Sequence, residues 1–334
     1  MCGRADAAPL FSSPDRMHGV PGTYSYRRCN GCRTVFQDPR VSDGDLRALY
    51  PGAYYTHSAS GSGLPAGLGR RGEEGWRGRL RSGIRRVRAP GQESGPPSAW
   101  HRVLARSRWI RERAFYDLVD DEMLPWRTPP GRALDVGCGA GELMLRLAAL
   151  GWQVEGVEPD AAAAAVARER SGAAVRVASV AALRPEATGR FDLITVSHVL
   201  EHLPAPGEAL RTLAGLLGTG GRLVVLWPNP DALGARAFRA HWFAWDAPRH
   251  LVVPSLAGLR ALVRGTGLEV RGARTLTRWA ADHAMQSAAY RRGEGLQDDV
   301  PGFAHRAFGG LERALVALGL GVGEEILLHL EVRA

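Results

Sequence analysis

Three alternating glycines form the stretch of this sequence best suited to hold a ligand. Residues 134–144 read LDVGCGAGELM and contain Gly137, Gly139 and Gly141 between an apolar run and a helical pattern. Glycine lets the backbone approach a ligand closely, and the N-terminus of the following helix offers free N–H groups. A dinucleotide-binding loop has its third glycine where this chain has Glu142, whose carboxylate would oppose a pyrophosphate. The loop therefore favours a ligand with a carboxylate but no phosphate.

Glu158, at the end of the next predicted strand, is the second ligand-binding candidate. An acid at the end of this strand can accept hydrogen bonds from both hydroxyls of an adenosine ribose. A glycine triplet alone is a weak signal, but strand, glycine loop, helix, strand and acid follow one another here in order. This order predicts an adenosine-bearing ligand. The alternative is a tight strand-to-helix turn with a surface glutamate.

A second group of reactive side chains lies in the segment HVLEH. His198, Glu201 and His202 are spaced three and four residues from the first, so they share one face if the segment is helical. Two histidines and a carboxylate on one face can bind a metal ion. The alternative is a structural role for this segment.

Alternating strands and helices must position these residues. We predict strands over residues 132–138, 153–158, 174–180, 191–197, 221–227, 268–276 and 325–333, and helices over 141–150, 160–170, 206–217 and 255–265. Strands separated by helices of this length form a parallel sheet with helices on both faces, and such a sheet binds its ligand beyond the carboxyl ends of its strands. The predicted fold class is therefore α/β, a doubly wound, Rossmann-like sheet.

Composition divides the chain into five segments. We predict a turn-rich segment over 1–45, an arginine-rich linker over 46–99, a core over 100–276 that starts with a helix to about Leu124, a helical insertion over 277–323 and a final core strand over 324–334. Within the linker, apolar residues of 76–88 lie near one helical face among arginines, which suits contact with a membrane surface or an acidic partner. Gly78 and Gly83 weaken that helix and favour a solvated linker instead.

The overall composition excludes several classes of protein. Apolar residues make up 45% of the 334 residues, which is enough for a large core. The net charge is +9, but the chain has no lysine, and a GC-rich genome explains the arginine excess, so nucleic-acid binding is not favoured. The four cysteines are too few for a disulfide scaffold. The sequence shows neither the pattern of a signal peptide nor an apolar run of membrane-spanning length, so we expect a cytoplasmic protein.

The glycine loop and its surroundings resemble the class I S-adenosylmethionine-dependent methyltransferases. The resemblance lies in ALDVGCGAGELMLRLAALGWQVEGVEPD, and FDLITVSHVLEHLPAPGEALRTLAGLLGTGGRLVVLWPNP fits the fourth and fifth strands of the same family. It covers roughly residues 130–276 and the final strand. It implies a seven-stranded sheet whose last strand is antiparallel, and S-adenosyl-L-methionine as the cofactor.

The resemblance also implies where the cofactor binds. It places Asp135 and the three glycines at the methionine part and Glu158 at the ribose. Family members often carry an acidic residue near the adenine after the third strand, where this chain reads ASVAAL. Ser179 or the backbone is expected to serve there, and Ser197, at the end of the fourth strand, completes the set of cofactor candidates.

Methyl transfer to an oxygen needs a base, and histidine suits this role near neutral pH. The stretch WFAWDAPRHLVVPS is similar to a segment of methyltransferases of sugars and secondary metabolites in which a histidine faces the substrate, and His250 falls at that place. His250 is therefore the first candidate for the base, followed by His198 and His202. The alternative is that His250 is a buried histidine of a helix-cap loop. HVLEH also resembles a motif of some quinone-biosynthesis O-methyltransferases that bind a metal; alternatively His202 packs beside the cofactor. Arg249 is a candidate contact for an anionic group of the substrate.

The N-terminal cysteines resemble a zinc ribbon. Cys29 and Cys32 have the Cys-x-x-Cys spacing that places two thiolates on one zinc ion. Many similar bacterial methyltransferases begin with two such pairs and continue as this chain does in VFQDPR and YPGAYY, so Cys2 corresponds to the second cysteine of the first pair. The missing cysteine could lie a few residues upstream of Met1, His18 could replace it, or the metal site could be lost. Two roles are open for Tyr50, Tyr54 and Tyr55: contact with the substrate, or aromatic packing alone.

These observations predict a methyltransferase that acts on a small-molecule or glycan acceptor, with transfer to oxygen favoured over C-methylation of a sugar. Two alternatives remain: a catalytically inactive methyltransferase fold that serves as an interaction protein, and an RNA or protein methyltransferase, which only the net charge suggests.

Overall fold

The computed structural model describes residues 2–3, 5–42, 44–50, 98–106, 130–184 and 190–333. The predictions for the arginine-rich segment 76–88, for Tyr54 and Tyr55 and for most of the helix that starts at Trp100 lie outside the described residues.

A seven-stranded sheet forms the core. Its strands are β4 (Arg132–Val136), β5 (Gln153–Glu158), β6 (Val175–Val177), β7 (Phe191–Ser197), β8 (Leu217–Pro228), β10 (Leu268–Leu276) and β11 (Glu325–Val332). They lie side by side in the order β10-β11-β8-β7-β4-β5-β6. The strands from β4 to β8 pair in parallel, whereas β11 is antiparallel to both β8 and β10. The predicted Rossmann-like sheet with an antiparallel last strand is confirmed.

The described helices are α1 (Ala99–Arg106), α2 (Glu142–Ala149), α3 (Ala161–Ser171), α4 (Pro206–Leu216), α5 (Leu233–Phe238), α6 (Leu256–Val263), α7 (Ala280–Arg292) and α8 (Phe303–Ala317). Side-chain caps fix two of their starting points. Asp160 accepts from the N–H of Ala163 at the start of α3, and Ser255 accepts from that of Gly258 at the start of α6. None of the described helices is long and apolar enough to cross a membrane.

Most predicted element boundaries agree with the structure. The strands 153–158, 191–197 and 268–276 are confirmed at both ends. The prediction for residues 174–180 is too long, because β6 ends at Val177 and a 3-10 turn begins at Val180. Strand β8 is longer than the predicted 221–227, since its pairing with β7 starts at Leu217.

A smaller antiparallel sheet covers one side of the core. The N-terminal strands β1 (Ala7–Ser13), β2 (Tyr24–Cys29) and β3 (Val35–Gln37) are extended by β9 (Val252–Val253). Strand β9 lies between α5 and α6 in the chain and pairs Val253 with Val35. The core thus supplies the fourth strand of the N-terminal sheet, and this strand begins two residues after His250.

A buried arginine also joins the N-terminal segment to the core. The guanidinium of Arg249 is fully buried and donates to both carboxylate oxygens of Asp15 at 2.8 Å and to Asp246 Oδ1 at 2.6 and 2.9 Å. Burial alone would raise the pKa of Asp15, but the hydrogen bonds and charge of Arg249 lower it to about 2. Arg249 therefore holds two carboxylates of the protein itself, and the expectation that it contacts an anionic group of the substrate is wrong.

Replacing Arg249 by alanine should destabilise the protein by about 3–5 kcal/mol, because two buried carboxylates lose their counter-charge. Denaturant unfolding of the two proteins measures this difference. The control is Arg222→Ala, which removes a half-exposed ion pair with Glu331 and should cost about 1 kcal/mol or less. Equal losses in the two variants would contradict the structural role of Arg249.

Candidate active site

The glycine loop turns back over the end of β5. Gly137 and Gly141 have φ values of 69° and 82°, which are left-handed and suit glycine. The N–H of Gly137 donates to the carbonyl of Val157 at 2.7 Å. A Cβ on Gly137 would collide with the side chain of Val199, and one on Gly141 would lie 3.2 Å from the Cα of Ala167. The loop has this shape because its glycines have no side chains.

Glu158 lies at the carboxyl end of β5 and is 5% exposed. Its Oε2 accepts from the N–H of Gly139 and its Oε1 from the N–H of Asp160, each at 3.0 Å. These bonds fix the carboxylate beside the glycine loop. Each carboxylate oxygen has a second lone-pair site, so two ribose hydroxyls can still donate to Glu158. A bare loop beside an oriented acceptor fits an adenosine-bearing cofactor.

The other predicted cofactor contacts lie at the same edge of the sheet. Asp135, near the end of β4, is buried and accepts from Thr195 Oγ1 at 2.8 Å. Ser197 ends β7 and is half-buried, whereas Ser179 is exposed just beyond β6. The carboxyl ends of the parallel strands bring these residues together.

His198 follows β7 in a left-handed conformation, with a φ of 53°. Its Nδ1 lies 3.3 Å from Glu201 Oε1 and its Nε2 lies 2.8 Å from Glu325 Oε1. Burial alone would lower the pKa of His198, but the hydrogen bonds and charges of these two carboxylates raise it to about 9. His198 is therefore an imidazolium at neutral pH, with both N–H groups donated to carboxylates.

The helical arrangement expected for HVLEH is present only as one 3-10 turn, Leu200–His202. His198 lies before this turn and contacts Glu201, while His202 is directed elsewhere. The Nδ1 of His202 lies 3.0 Å from the hydroxyl of Tyr50 and 3.1 Å from the carbonyl of Arg249. The two histidines thus do not share a face, and His202 belongs instead with His250, whose ring centroid is 4.6 Å away.

His250 is a buried, neutral imidazole. Its Nδ1 donates to the carbonyl of Ala244 at 3.0 Å, so the lone pair is on Nε2. That nitrogen lies 3.8 Å from Glu201 Oε1 and 3.9 Å from Asp246 Oδ2. Burial lowers the pKa of His250 to about 4. The environment therefore presents an unprotonated nitrogen with two carboxylates beside it.

Two carboxylate oxygens beside His250 have no hydrogen-bond donor among the described residues. Glu201 Oε2 and Asp246 Oδ2 are buried and accept no hydrogen bond from any described residue. The potential ligand atoms of Glu201, His202 and His250 lie within 4.8 Å of one another. A proton donor or a cation at this place would satisfy these groups.

Sequence reasoning missed Glu325 and Asp246. Glu325 opens the last strand, is 2% exposed and accepts from both His198 and Arg278. The available signal was an acidic residue at the head of the apolar run ILLHL. Asp246 lies in an irregular loop, and nothing in its sequence context marks it.

Cys2, Cys29 and Cys32 come together as the sequence suggested, with their sulfur atoms within 4.8 Å of one another. The N–H of Cys32 points to Cys29 Sγ at 3.5 Å, and Arg33 follows with a φ of 61°. Within the described ranges His18 does not join this group of ligands. The structure therefore does not place His18 as the missing ligand.

The sequence is similar to those of known methyltransferases. A family model described as "Methyltransferase domain" matches residues 107–272. The ubiquinone biosynthesis O-methyltransferase of Pseudomonas paraeruginosa is 34% identical over 189 residues, which cover 51% of this chain and 81% of that protein. The protein of the same name from Xanthomonas axonopodis pv. citri is 36% identical over 152 residues, or 42% of this chain and 63% of that protein. The match therefore spans less than two thirds of the Xanthomonas protein.

Among solved structures, a SAM-dependent methyltransferase from Thermotoga maritima is 20% identical and has a TM-score of 0.44. That match covers 69% of this chain and 96% of the Thermotoga protein.

Proposed function

The chain belongs to the class I S-adenosylmethionine-dependent methyltransferases, and we propose that it methylates a hydroxyl oxygen of a small-molecule acceptor with His250 as the base. The observation that carries the proposal is the neutral Nε2 of His250, which lies 3.8 and 3.9 Å from the carboxylates of Glu201 and Asp246. The names of the two relatives support transfer to oxygen. A sugar hydroxyl would need the same base, so a glycan acceptor remains a variant of this proposal.

The proposed cofactor contacts follow from the geometry of the loop. S-Adenosylmethionine supplies a methyl group on a sulfonium, ready for in-line displacement. In this proposal Asp135 and the loop of Gly137, Gly139 and Gly141 hold the methionine part, and Glu158 accepts from the ribose. Ser179 and Ser197 lie at the same sheet edge and remain candidate contacts.

His250 takes the proton from the acceptor hydroxyl in this proposal. Donation of its Nδ1–H to Ala244 keeps the lone pair on Nε2. The charges of Glu201 and Asp246 favour the imidazolium that forms and offset part of the burial that lowers the pKa of His250. Both ring nitrogens of His198 are protonated and donate to carboxylates, so neither can accept a proton from the substrate. We therefore assign His198 an electrostatic role rather than that of a base. His202 would position Tyr50 and the ring of His250.

A bound cation is a second candidate for the same cluster. Nδ1 of His250 donates to a carbonyl, and Nδ1 of His202 lies within hydrogen-bond distance of another. This is the usual orientation of histidines that bind a metal through Nε2. Dialysis against a chelator separates the two candidates, because a histidine base needs no metal. Activity that is lost and then restored by one divalent ion would favour the cation.

Methyl transfer from labelled S-adenosylmethionine to a panel of hydroxylated small molecules tests the proposed function. Calorimetric titration with S-adenosylhomocysteine tests cofactor binding separately. Labelled product from an alcohol or phenol is expected. Transfer only to RNA or to protein would overturn the proposed acceptor class.

We also propose that Cys2, Cys29 and Cys32 bind one structural zinc ion. The donor set fits, since three sulfur atoms lie within 4.8 Å of one another and the turn after Cys29 directs an N–H toward its sulfur. The zinc would contribute folding energy to the N-terminal sheet rather than act in the reaction.

The purified protein should then contain about one zinc per chain, and Cys29→Ser should reduce this to near zero, because a thiolate is lost from the site. Elemental analysis measures the content. The control is Cys138→Ala, which changes a buried cysteine of the glycine loop and should leave the zinc in place. A zinc content that is unchanged in Cys29→Ser would contradict the proposal.

A further inference from the structure

Two glutamates that the proposed reaction does not use face each other inside the protein. Glu312 lies on α8 and Glu324 lies directly before β11, and each is 1% exposed. Their carboxyl groups are within hydrogen-bonding reach of each other. The Glu312–Glu324 pair thus joins the α7–α8 segment (residues 277–323) to the last strand of the core.

Two acceptor oxygens of this pair have no donor. Glu324 Oε1 accepts from the N–H of Trp279, and the backbone N–H groups of Gly234 and Glu324 face the carboxyl of Glu312. Glu312 Oε1 and Glu324 Oε2, however, are buried and receive no hydrogen bond from any described residue. A buried acceptor without a donor destabilises the fold. One proton on either carboxyl, donated to the other, would satisfy both groups.

The charged groups beside the pair do not neutralise it. Glu325 follows Glu324 directly and pairs with His198 at 2.8 Å and with Arg278 at 3.0 Å. Burial alone would raise the pKa of Glu325, but the charges of Arg278 and His198 lower it, so Glu325 is ionised. Both cations are thus already held by Glu325, whose own negative charge lies next to Glu324.

Burial raises the pKa of both members of the pair. The pKa of Glu324 lies well above the ordinary value of a glutamate, and the charges of Glu312 and Glu325 add to the effect of burial. Burial also raises the pKa of Glu312, and the charge of Arg313 on the same helix does not offset this. Two adjacent carboxylates in a buried place repel each other strongly, so such a pair retains one proton.

We propose that Glu312 and Glu324 share one proton at neutral pH, and that this proton holds the α7–α8 segment against the start of β11. Because Glu325 follows Glu324 and accepts from His198, the pair also positions the carboxylate that holds this imidazolium. Loss of the proton at alkaline pH would leave two negative charges in a buried contact and drive α8 away from β11. Neither glutamate takes part in the proposed methyl transfer.

Difference infrared spectroscopy detects the proton directly. At neutral pH the unmodified protein should show the carbonyl stretching band of a buried, protonated carboxylic acid, and this band should disappear as the pH is raised. It should be absent from the double variant Glu312→Gln/Glu324→Gln, whose amide groups retain a donor and an acceptor but no titrating proton. A band that is missing from the unmodified protein, or that persists in the double variant, would overturn the proposal.

Denaturant unfolding at a series of pH values measures the same proton through its effect on stability. Since the pKa is raised by folding, the folded protein holds one proton more than the unfolded chain at any pH between the ordinary and the raised values. The stabilisation is fully present only below the ordinary pKa of glutamate and is lost as the pH rises through the raised one. In this window the folding equilibrium constant of the unmodified protein should fall about tenfold per pH unit relative to that of the double variant.

Glu294 provides the matched control, because it is an exposed acid of the same segment. The variant Glu294→Gln should show the pH dependence of the unmodified protein. If the double variant shows that dependence as well, the pair does not bind the proton and the proposal fails. Should the double variant not fold, Glu312→Gln alone and the infrared titration of the unmodified protein provide the test.

Cleavage by trypsin tests whether the proton holds α8 in place. Arg306 is exposed on this helix, and cleavage after it needs local opening of the chain. Raising the pH should accelerate this cleavage several-fold more in the unmodified protein than in the double variant. Equal acceleration would show that the proton does not hold the segment. None of these measurements requires methyl transfer, so the shared proton and the proposed function can fail independently.

Discussion

Replacing Glu158 by glutamine is expected to weaken S-adenosylhomocysteine binding about a hundred-fold. Two charge-assisted hydrogen bonds to a ribose contribute roughly 1.5–3 kcal/mol each, and a hundred-fold change in affinity corresponds to about 2.7 kcal/mol. Glutamine keeps one carbonyl oxygen and removes the charge. Isothermal titration calorimetry measures the change directly.

The effect should exceed the loss of the ribose contacts alone. Both oxygens of Glu158 already accept backbone N–H groups, one from Gly139 and one from Asp160. The amide group of glutamine would direct N–H toward one of these donors, so the glycine loop would lose part of its support. We therefore expect the variant to melt at a lower temperature as well, by the amount that the loss of one buried hydrogen bond causes.

Glu155 provides the matched control on the same strand. Its carboxylate pairs with Arg132 at 2.5 Å and is partly exposed, so Glu155→Gln should change the affinity for S-adenosylhomocysteine by less than about two-fold. Comparable affinities for the Glu158 and Glu155 variants would show that the ribose is not held by Glu158.

The sequence suffices to predict the elements that hold the cofactor, because their signals are local. The glycine loop and Glu158 lie at the ends of adjacent parallel strands, and the hydrophobic pattern locates strand β5 at both ends. The antiparallel order of the last strands follows from the family resemblance rather than from the pattern itself.

The histidine cluster could be predicted only in part, because its geometry depends on contacts between distant segments. Glu201 and His250 lie in different loops, and the left-handed conformation of His198 directs its ring to Glu325. A prediction that treats HVLEH as a helix cannot include a left-handed residue at His198. The protonated state of His198 depends on two carboxylates, one of which is far away in the chain.

The N-terminal segment is tied to the candidate site by both strand pairing and charge. Strand β9 begins two residues after His250 and pairs with β3, while Asp15 holds Arg249, which in turn holds Asp246. Tyr50 reaches His202 from the same segment. Changes in the N-terminal sheet, including loss of the proposed zinc ion, should therefore alter the position of the proposed base.

Replacing His250 by alanine is expected to lower kcat by about a hundred- to ten-thousand-fold, the usual contribution of a positioned general base. The affinity for S-adenosylhomocysteine should remain within about two-fold of the original, because the contacts of His250 are with Ala244, Glu201 and Asp246 and not with the residues proposed to hold the cofactor. Single-turnover measurements with labelled S-adenosylmethionine, together with calorimetry, separate the two effects.

Two further measurements distinguish a base from a residue that only supports the fold. Added imidazole should partly restore turnover in His250→Ala, since the small molecule can occupy the cavity and accept the proton between Glu201 and Asp246. The control His305→Gln changes a histidine of α8 and should retain full activity. Retained turnover in His250→Ala would contradict the assignment. A loss of bound metal together with activity would instead assign His250 to a cation site with Glu201 and His202.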